Sequence, residues 1–288
     1  MSGWHIGIIG GSGLYDVAGI EDGQWVDVES PWGAPSDAIF TGRLGHVRVS
    51  FLPRHGRGHR ISPSELNARA NIDCLKRLGV TDVLSVSSVG GLQEDRAPGT
   101  FTIVDQFIDR TKGRPSSFFG SGMVAHVSMA DPVCPRLSAL AGDAAEAAGA
   151  RVHRGGTCLV MEGPQFSTRA ESLLYRSWGC DVIGMTAMPE AKLAREAELP
   201  FAMVAMVTDY DCWREEEAAV DVAQVLAQLS TNAEKARAMV LNLLRALPSE
   251  RAASPIDTCL DTALITAPHA RDSELLAKLD AVAGRVLD

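Results

Sequence analysis

The sequence predicts an α/β protein in which helices flank a largely parallel or mixed β-sheet. Apolar runs rich in Val and Ile alternate with helical patterns, and this alternation is typical of the class. The 288-residue chain is 46% hydrophobic and 22% charged, an ordinary globular composition with enough apolar side chains for a large core. Its length allows one large domain or two. The candidate strands are residues 5–9, 46–53, 81–89, 101–108, 157–161, 181–185 and 201–208.

Two segments have the residue pattern of a helix N-terminus. Ser62, Pro63 and Glu65 match an N-cap, a first-turn proline and the acidic member of a capping box. Thr168 and Glu171 repeat the capping-box spacing. We therefore expect helices to begin at these two places.

The sequence pattern in the last third of the chain predicts two further helices. Residues 217–246 have a long helical pattern that Pro248 ends. Residues 247–255 resemble an exposed connector, and residues 272–286 are expected to form an amphipathic helix that packs on the core or on a neighbouring subunit. We interpret the chain as one domain, residues 1–288, with a C-terminal helical extension from about residue 250.

The charge balance and the apolar runs exclude several classes of function. Lys plus Arg number 27 and Asp plus Glu 36, a net charge of −9, so nucleic acids and anionic membranes are not expected partners. The longest strongly apolar stretch, residues 199–207, is far shorter than the roughly 20 residues that cross a bilayer. The N-terminus has no signal-peptide pattern, and a cytoplasmic location is expected.

The six cysteines are scattered without a CxxC pair. This spacing argues against both a zinc site and a disulfide framework, and we expect reduced cysteines in the core or in pockets. Neither a metal nor a cofactor is predicted.

The first candidate binding element is the glycine-rich turn Gly10–Gly13, which follows the first apolar strand. Backbone N–H groups of such a turn can approach a phosphate, and Ser12 adds a hydroxyl. The GGSG spacing is not the GxGxxG fingerprint, so a dinucleotide site is not predicted. A purely structural turn is the alternative.

The second candidate element is a basic segment after residues 46–53. Arg54, His55, Arg57, His59 and Arg60 form a local anion trap in an acidic protein, because Arg can bind phosphate through two parallel N–H bonds. A solvated charged loop is the alternative.

Two further strand ends present hydroxyl groups. Ser85, Ser87 and Ser88 precede a pair of glycines, and Thr186 follows Met185 at the end of another strand. These groups can donate hydrogen bonds to an oxyanion, although a turn and a core methionine are the simpler interpretations.

The last candidate element is a pair of carboxylates, Asp209 and Asp211, at the end of an apolar strand. They could bind a metal, but no nearby His completes such a site. They could instead accept hydrogen bonds from an amino group. If Asp209 is desolvated, its raised pKa lets it hold and donate a proton.

Together these segments resemble the methylthioadenosine phosphorylase branch of the trimeric purine nucleoside phosphorylases. The matching strings span roughly residues 5–230, in the same order along the chain: GIIGGSGL, FLPRHGRGHRISPSELN, DQFIDRTKGRPSSFF, MEGPQFSTRAES, GMTAMPEAKLAREA and TDYDCW. The resemblance implies a single domain of the nucleoside phosphorylase type, with a central mixed β-sheet flanked by helices. It also implies reversible phosphorolysis, in which phosphate attacks the anomeric carbon and displaces the purine.

The resemblance also implies the roles of individual residues, carried over position by position. The implied phosphate ligands are Ser12, Arg54, His55, Ser87, Ser88 and Thr186. The implied nucleoside contacts are Phe166 and Met185 at the sugar, Asp209 and Asp211 at the purine, and Val222, Val225 and Leu226 at the 5′ substituent. The family's usual state is a homotrimer, and His126 of a neighbouring subunit is the implied contribution across the interface. Inorganic phosphate is then a co-substrate, and no cofactor is implied.

The chemistry assigns Asp209 as the catalytic acid. Breaking the glycosidic bond leaves negative charge on the purine, which protonation at ring nitrogen 7 relieves, while phosphate stabilises the positive sugar. Asp accepts hydrogen bonds from a 6-amino group and repels a 6-oxo group, whereas Asn can donate to that oxygen. Asp209 and Asp211 thus favour adenine, and an apolar 5′ wall favours a methylthio group.

Two alternatives stay open at this point. A methylthioinosine or 6-oxopurine nucleoside phosphorylase would share the phosphate machinery and differ at the base. A protein with this fold that has lost catalysis and only binds nucleosides belongs to a different class.

Overall fold

The computed structural model describes residues 3–11, 14, 17–214 and 222–287, and from residue 222 to 227 it describes the backbone alone. Over those residues, eleven strands and seven α-helices alternate along the chain. The strands are β1 (His5–Gly10), β2 (Glu21–Val26), β3 (Ile39–Leu44), β4 (Val47–Pro53), β5 (Asp82–Gly91), β6 (Thr100–Val104), β7 (Gln106–Asp109), β8 (Arg151–Arg154), β9 (Thr157–Val160), β10 (Val182–Gly184) and β11 (Phe201–Asp209). The helices are α1 (Ala68–Arg77), α2 (Pro135–Ala147), α3 (Arg169–Ser177), α4 (Ala187–Glu196), α5 (Val222–Ala246), α6 (Ser273–Lys278) and α7 (Asp280–Leu287).

All these strands belong to one mixed sheet, which confirms the predicted fold class. The main path runs β2-β3-β4-β1-β5-β10-β9-β7, and β11 pairs with both β5 and β6. Strand β5 is central, since it pairs in parallel with β1 and β11 and antiparallel with β10. The carboxyl ends of β1, β4, β5 and β11 therefore meet at one edge.

Helices cover both faces of the sheet because side chains of a strand alternate between its faces. On β11, the side chains of Phe201, Met203, Ala205 and Val207 pack in one core with α1, α4 and α7. Those of Ala202, Val204 and Met206 pack on the other face with α2 and α5. A strand that is buried on both faces has a continuous apolar sequence. This pattern is what predicted β11.

The apolar strands were predicted well, and the polar ones were not. Strands β1, β4, β5, β9, β10 and β11 lie within two residues of their predicted bounds. The predicted strand 101–108 is two strands, β6 and β7, because the chain changes partner at Asp105: β6 pairs with β8 and β7 pairs with β9. Strands β2, β3 and β8 were missed, since β2 and β8 lie at sheet edges and are largely exposed or half-buried.

The prediction of a helix beginning at Ser62 was wrong. Residues Pro63–Glu65 form a single 3₁₀ turn, and Ser62 makes no side-chain cap. Helix α1 begins five residues later, where the side chain of its N-cap Asn67 accepts a hydrogen bond from the Ala70 N–H. Asn is as good an N-cap as Ser, so the local pattern did not distinguish the two starts.

The capping box at α3 is present as predicted. The Thr168 side chain accepts from the Glu171 N–H, and the Glu171 carboxylate accepts from the Thr168 N–H. Two backbone donors that the helix leaves unpaired are thus satisfied.

Helix α5 ends at Ala246, in agreement with the predicted end before Pro248, and residues 217–221 of its predicted start lie outside the described residues. The predicted C-terminal helix is two short helices, α6 and α7, which pack on the core through Leu279, Val282 and Ala283. This segment packs on the face of the sheet that α1 covers. It was expected to pack either on the core or on a neighbouring subunit, and packing on the core agrees with the first of these.

All six cysteines are free, and four of them are buried. In the described part of the chain, no helix has both the length and the apolar character needed to cross a membrane. Over the same residues, no three His, Cys, Asp or Glu side chains gather as metal ligands.

The two predicted capping boxes provide a matched test. Thr168→Ala is expected to lower the free energy of unfolding by about 1 kcal/mol, because it leaves an N-terminal N–H of α3 without its acceptor. Ser62→Ala is expected to change it by less than about 0.5 kcal/mol, since Ser62 caps nothing. Urea unfolding of the two variants measures both values, and equal losses would contradict the assignment of the caps.

Candidate active site

Arg54 lies at the end of β4 and connects three neighbouring strands with helix α4. The residue is 2% exposed. Its Nε and Nη2 donate to the two carboxylate oxygens of Glu190 at 2.6 and 3.1 Å. Nη2 also donates to Ser85 Oγ at 2.7 Å and to the Ile9 carbonyl at 3.2 Å, and Nη1 donates to the Val86 carbonyl at 3.1 Å.

Gly10, the first residue of the glycine-rich segment, ends β1 beside this arginine. The backbone N–H of Arg54 donates to the Gly10 carbonyl at 2.9 Å. Ser12 itself lies outside the described residues. The structure thus brings the start of the turn to Arg54, as the predicted phosphate site requires.

His55 is half-buried, and its ring is fixed by two contacts. Its Nδ1 lies 2.9 Å from the Ile61 carbonyl, which can only accept a hydrogen bond, so the proton is on Nδ1. Its ring stacks on His59 at 4.2 Å. Burial lowers the pKa of His55 to about 4, so the ring is neutral at pH 7 and Nε2 is an acceptor.

The other two arginines of the basic segment bond to residues just before β3. Arg57 pairs with Asp37, and Arg60 donates to the Ser36 carbonyl. Both arginines are exposed. The five basic residues of the predicted anion trap therefore do not act together. Arg54 and His55 lie at the strand ends, whereas Arg57 and Arg60 bond elsewhere.

Two of the predicted hydroxyl groups meet across the site. The Oγ atoms of Ser87 on β5 and Thr186 at the start of α4 lie 3.4 Å apart, and both residues are buried. Thr186 is the N-cap position of α4 but makes no cap hydrogen bond. Ser88 is exposed and lies beside Met206 in the β5–β11 register.

Asp209 and Asp211 lie together at the end of β11. The Asp209 carboxylate accepts from Thr208 Oγ1 at 2.7 Å and from the Asp211 N–H at 2.8 Å. Burial raises the pKa of both carboxyl groups. The hydroxyl groups of Ser172 and Ser167 lie close enough to oppose this rise in the pKa of Asp211, but none of the described residues makes a well-aligned hydrogen bond to its buried Oδ2. Such an oxygen is an acceptor that a ligand's amino group can satisfy.

Gly90 on β5 makes room for this carboxylate pair. A Cβ at Gly90 would lie 3.0 Å from Asp209 Oδ1 and 3.3 Å from the Asp211 Cβ. The register of β5 and β11 shifts between Val207 and Asp209, which places Asp209 opposite Gly90. Gly90, for which the sequence left open a turn or a hydrogen-bond donor to an oxyanion, thus has a steric role at the carboxylates.

The predicted sugar contacts lie on two segments that touch each other. A Cβ at Gly163 would lie 2.5 Å from Met185 Sδ, so the backbone at Gly163 packs directly against Met185. Phe166 on this segment is 47% exposed. The Ser167 carbonyl accepts from Cys212 Sγ at 3.2 Å, which brings the same segment to the carboxylate pair.

Arg114 holds this arrangement together and was not predicted. Its Nη1 donates to the carbonyls of Met185 and Met188, and its other nitrogens donate to the carboxylate and the carbonyl of Glu162. Residues 105–119 matched one of the family strings, but no residue of this segment was assigned a role. Glu190 was likewise missed. No local sequence pattern marks Arg114 or Glu190, because the residues to which they bond lie tens of positions away along the chain.

The 5′ wall and the neighbouring-subunit contact are the least defined parts of the site. The side chains of Val222, Val225 and Leu226 lie outside the described residues. His126 is exposed, and its backbone N–H donates to the Ala263 carbonyl. The bridge between Ala125 and Leu264 shows that the C-terminal segment positions this stretch. No hydrogen bond or ring contact among the described residues joins His126 to the other predicted site residues.

A cavity of about 240 Å³ lies elsewhere in the molecule. Lys76, Thr81, Leu199 and Arg251 line it, at the amino ends of β5 and β11. None of the predicted site residues lies there.

The geometry gathers an arginine, two hydroxyl groups and a pair of desolvated carboxylates at the carboxyl ends of β4, β5 and β11, beside α4. Open α/β sheets bind ligands at this edge. The arrangement suits an enzyme that binds an inorganic anion and an amine-bearing ring side by side. The chain belongs to the phosphorylase superfamily, whose family model matches residues 5–245.

Known proteins extend this similarity over nearly the whole chain. The S-methyl-5′-thioadenosine phosphorylase of Cereibacter sphaeroides is 63% identical over 284 residues, which cover 98% of both chains. The protein of the same name from Bradyrhizobium diazoefficiens is 58% identical with the same coverage. The crystal structure of a methylthioadenosine phosphorylase from an antarctic soil metagenomic library superimposes with a TM-score of 0.92 at 47% identity, covering 98% of this chain and 99% of the other.

The steric role of Gly90 predicts that an added side chain at this position lowers the catalytic rate. In Gly90→Ala the new methyl group pushes against Asp209 Oδ1 and Ile183, at 3.0 and 3.1 Å. We expect turnover to fall about tenfold or more, because small misplacements of reacting groups are costly. Gly120→Ala is the control, since its Cβ meets nothing within 4 Å. Equal turnover in the two variants would contradict this role.

Proposed function

We propose that this protein catalyses the reversible phosphorolysis of S-methyl-5′-thioadenosine to adenine and 5-methylthioribose 1-phosphate. The observation that supports it best is the position of the carboxylate pair relative to the Arg54 and Ser87 cluster. Ser87 and Gly90 are three residues apart on β5, about 10 Å along a strand. The sugar of a nucleoside can span this interval, with phosphate at one end and the purine at the other.

The phosphate end is built for an oxyanion that attacks carbon. Ser87 and Thr186 supply hydroxyl groups, Ser88 is assigned through its backbone N–H because its side chain points to the opposite face of the sheet, Arg54 supplies an N–H, and Ser12 is assigned with them by the family resemblance. His55 Nε2 accepts a hydrogen bond from a protonated phosphate oxygen or a sugar hydroxyl, because its Nδ1 proton is already donated. A phosphate oxygen forms the bond to the anomeric carbon as the bond from that carbon to purine nitrogen 9 breaks.

The base end receives the electron pair of the broken bond. Asp209 donates its proton to ring nitrogen 7, which leaves neutral adenine and an ionised carboxylate. Burial raises the pKa of Asp209 and so keeps more of it protonated near neutral pH. Asp211 Oδ2, an acceptor without a partner in the described protein, accepts from the 6-amino group.

The neighbouring subunit of a homotrimer completes the site in this proposal. Phe166, Leu173, Leu174 and Trp178 present large exposed apolar side chains around α3, and Val124 and Ile265 do so beside His126. Exposed apolar groups of this size are typical of contact surfaces. We assign the first set to contact with the His126 segment of a second copy, which brings His126 to the nucleoside. The family resemblance assigns Val222, Val225 and Leu226 to the methylthio pocket.

The remaining assignments follow from this activity. Phosphate is a co-substrate, and neither a cofactor nor a metal takes part. The products belong to purine and methionine salvage, and we place the enzyme in the cytoplasm.

The direct experiment is phosphate-dependent base release from methylthioadenosine, methylthioinosine, adenosine and inosine, measured in parallel on purified protein. Preferential release of adenine from methylthioadenosine is the expected result. Preference for the two inosine-type substrates would replace the assignment by a 6-oxopurine nucleoside phosphorylase. Absence of turnover with all four would support a nucleoside-binding protein.

The acid role of Asp209 predicts the properties of Asp209→Asn. We expect kcat for methylthioadenosine to fall about 100-fold, within the usual range for loss of a general acid, while phosphate affinity stays unchanged. Wild-type kcat should fall as the pH rises through the raised pKa of Asp209, because the ionised form has no proton to donate. The variant should lack this fall.

Asp211→Asn is the matched comparison for Asp209→Asn. It should raise KM for adenine nucleosides more than it lowers kcat, since Asp211 is assigned to binding. Steady-state kinetics from pH 5 to 9 measure both variants, and wild-type activity in Asp209→Asn would remove the acid role.

A further inference from the structure

Glu190 is a buried carboxylate beside the phosphate end of the site, and the reaction gives it no task. It is 2% exposed and lies in the first turn of α4, four residues after Thr186. Both of its oxygens are occupied: Oε1 accepts from Arg54 Nε, and Oε2 accepts from Arg54 Nη2 and from Ser85 Oγ at 3.1 Å. It therefore acts through Arg54 and has no free oxygen for a substrate.

The pairing fixes which part of Arg54 faces a ligand. The edge of the guanidinium formed by Nε and Nη2 is turned toward Glu190, Ser85 and Ile9. Nη1 donates one of its hydrogens to the Val86 carbonyl, next to Ser87. Among the described residues, only the second Nη1 hydrogen has no acceptor, so Arg54 can offer phosphate one hydrogen bond and not the two-pronged contact predicted from the sequence.

The pairing also balances the charge of Arg54. At 2.6 Å and away from water, the carboxylate cancels most of the guanidinium field. His55 adds no positive charge at pH 7, because its ring is neutral. An arriving phosphate then meets mainly neutral donors, the hydroxyl groups of Ser87 and Thr186.

Stability alone does not account for such a pair. Taking two charges out of water is costly, and a buried pair often stabilises a fold no better than apolar side chains do. Its place beside the predicted phosphate ligands indicates a functional role.

We propose that Glu190 is a positioning residue that aims Arg54 and holds phosphate affinity down by balancing its charge. Moderate affinity serves a reversible reaction, because the sugar phosphate product must leave the same donors. This inference rests on the proposed function, since it takes phosphate as the ligand of Arg54.

The experiment is isothermal titration calorimetry of inorganic phosphate into wild type, Glu190→Gln, Arg54→Gln and the double variant, without nucleoside. Glu190→Gln should bind phosphate about fivefold or more tightly, because the guanidinium is left unbalanced. Arg54→Gln should bind it more than about tenfold more weakly, because an unpaired buried carboxylate repels the anion. The double variant, which carries neither charge, should return to within about fivefold of wild type.

Glu196→Gln is the matched control. Glu196 is a buried carboxylate on the same helix, bonded to Ser117 Oγ and the Phe118 N–H and not to Arg54. The phosphate affinity of the Glu196→Gln variant should equal that of wild type. A gain of affinity confined to Glu190→Gln distinguishes charge balance from a structural role, which predicts a loss or no change.

Two results would overturn the inference: weaker or unchanged binding in Glu190→Gln, or a double variant as weak as Arg54→Gln. If Glu190→Gln does not fold, the comparison of Arg54→Gln with the double variant decides alone, since the double variant buries no unpaired charge. Wild-type protein that binds no phosphate would instead refute the proposed function itself.

Discussion

The guanidinium of Arg54 is the interaction on which the candidate site depends. From the end of β4 it bonds to Ile9 on β1, to Ser85 and Val86 on β5, and to Glu190 on α4. One buried side chain thus fixes the carboxyl ends of three strands relative to α4, the helix that follows Thr186. The residues proposed to bind phosphate therefore stand on rigid elements, which is what precise positioning of an attacking oxygen requires.

The pairing of β5 with β11 supplies the second constraint. It fixes Ser87 and Ser88 on one strand and, through the register shift after Val207, places Asp209 opposite Gly90 on the next. The spacing of a strand then separates the anion end from the carboxylate end by the length of a sugar. Arg114 adds the third part, because it ties residues 161–167 to Met185 above these strands.

The sequence predicted those parts that depend on local pattern. Buried strands such as β11 have continuous apolar runs, and their polar ends marked Arg54, Ser87, Thr186 and Asp209. Edge strands such as β2 are polar and were missed. The start of α1 was misplaced because Ser62 and Asn67 are equally good caps. Glu190 and Arg114 were missed because their partners are far along the chain: Arg54 and Glu190 are separated by 136 positions.

The central claim is that phosphate and purine bind at two ends of one site on β5 and β11. A crystal structure of the protein with sulfate and methylthioadenosine tests it most directly. We expect sulfate within hydrogen-bond distance of Ser87, Thr186 and Arg54 Nη1, with purine nitrogen 7 facing Asp209 and the 6-amino group facing Asp211. A purine bound away from both carboxylates, or sulfate away from Arg54, would contradict the account.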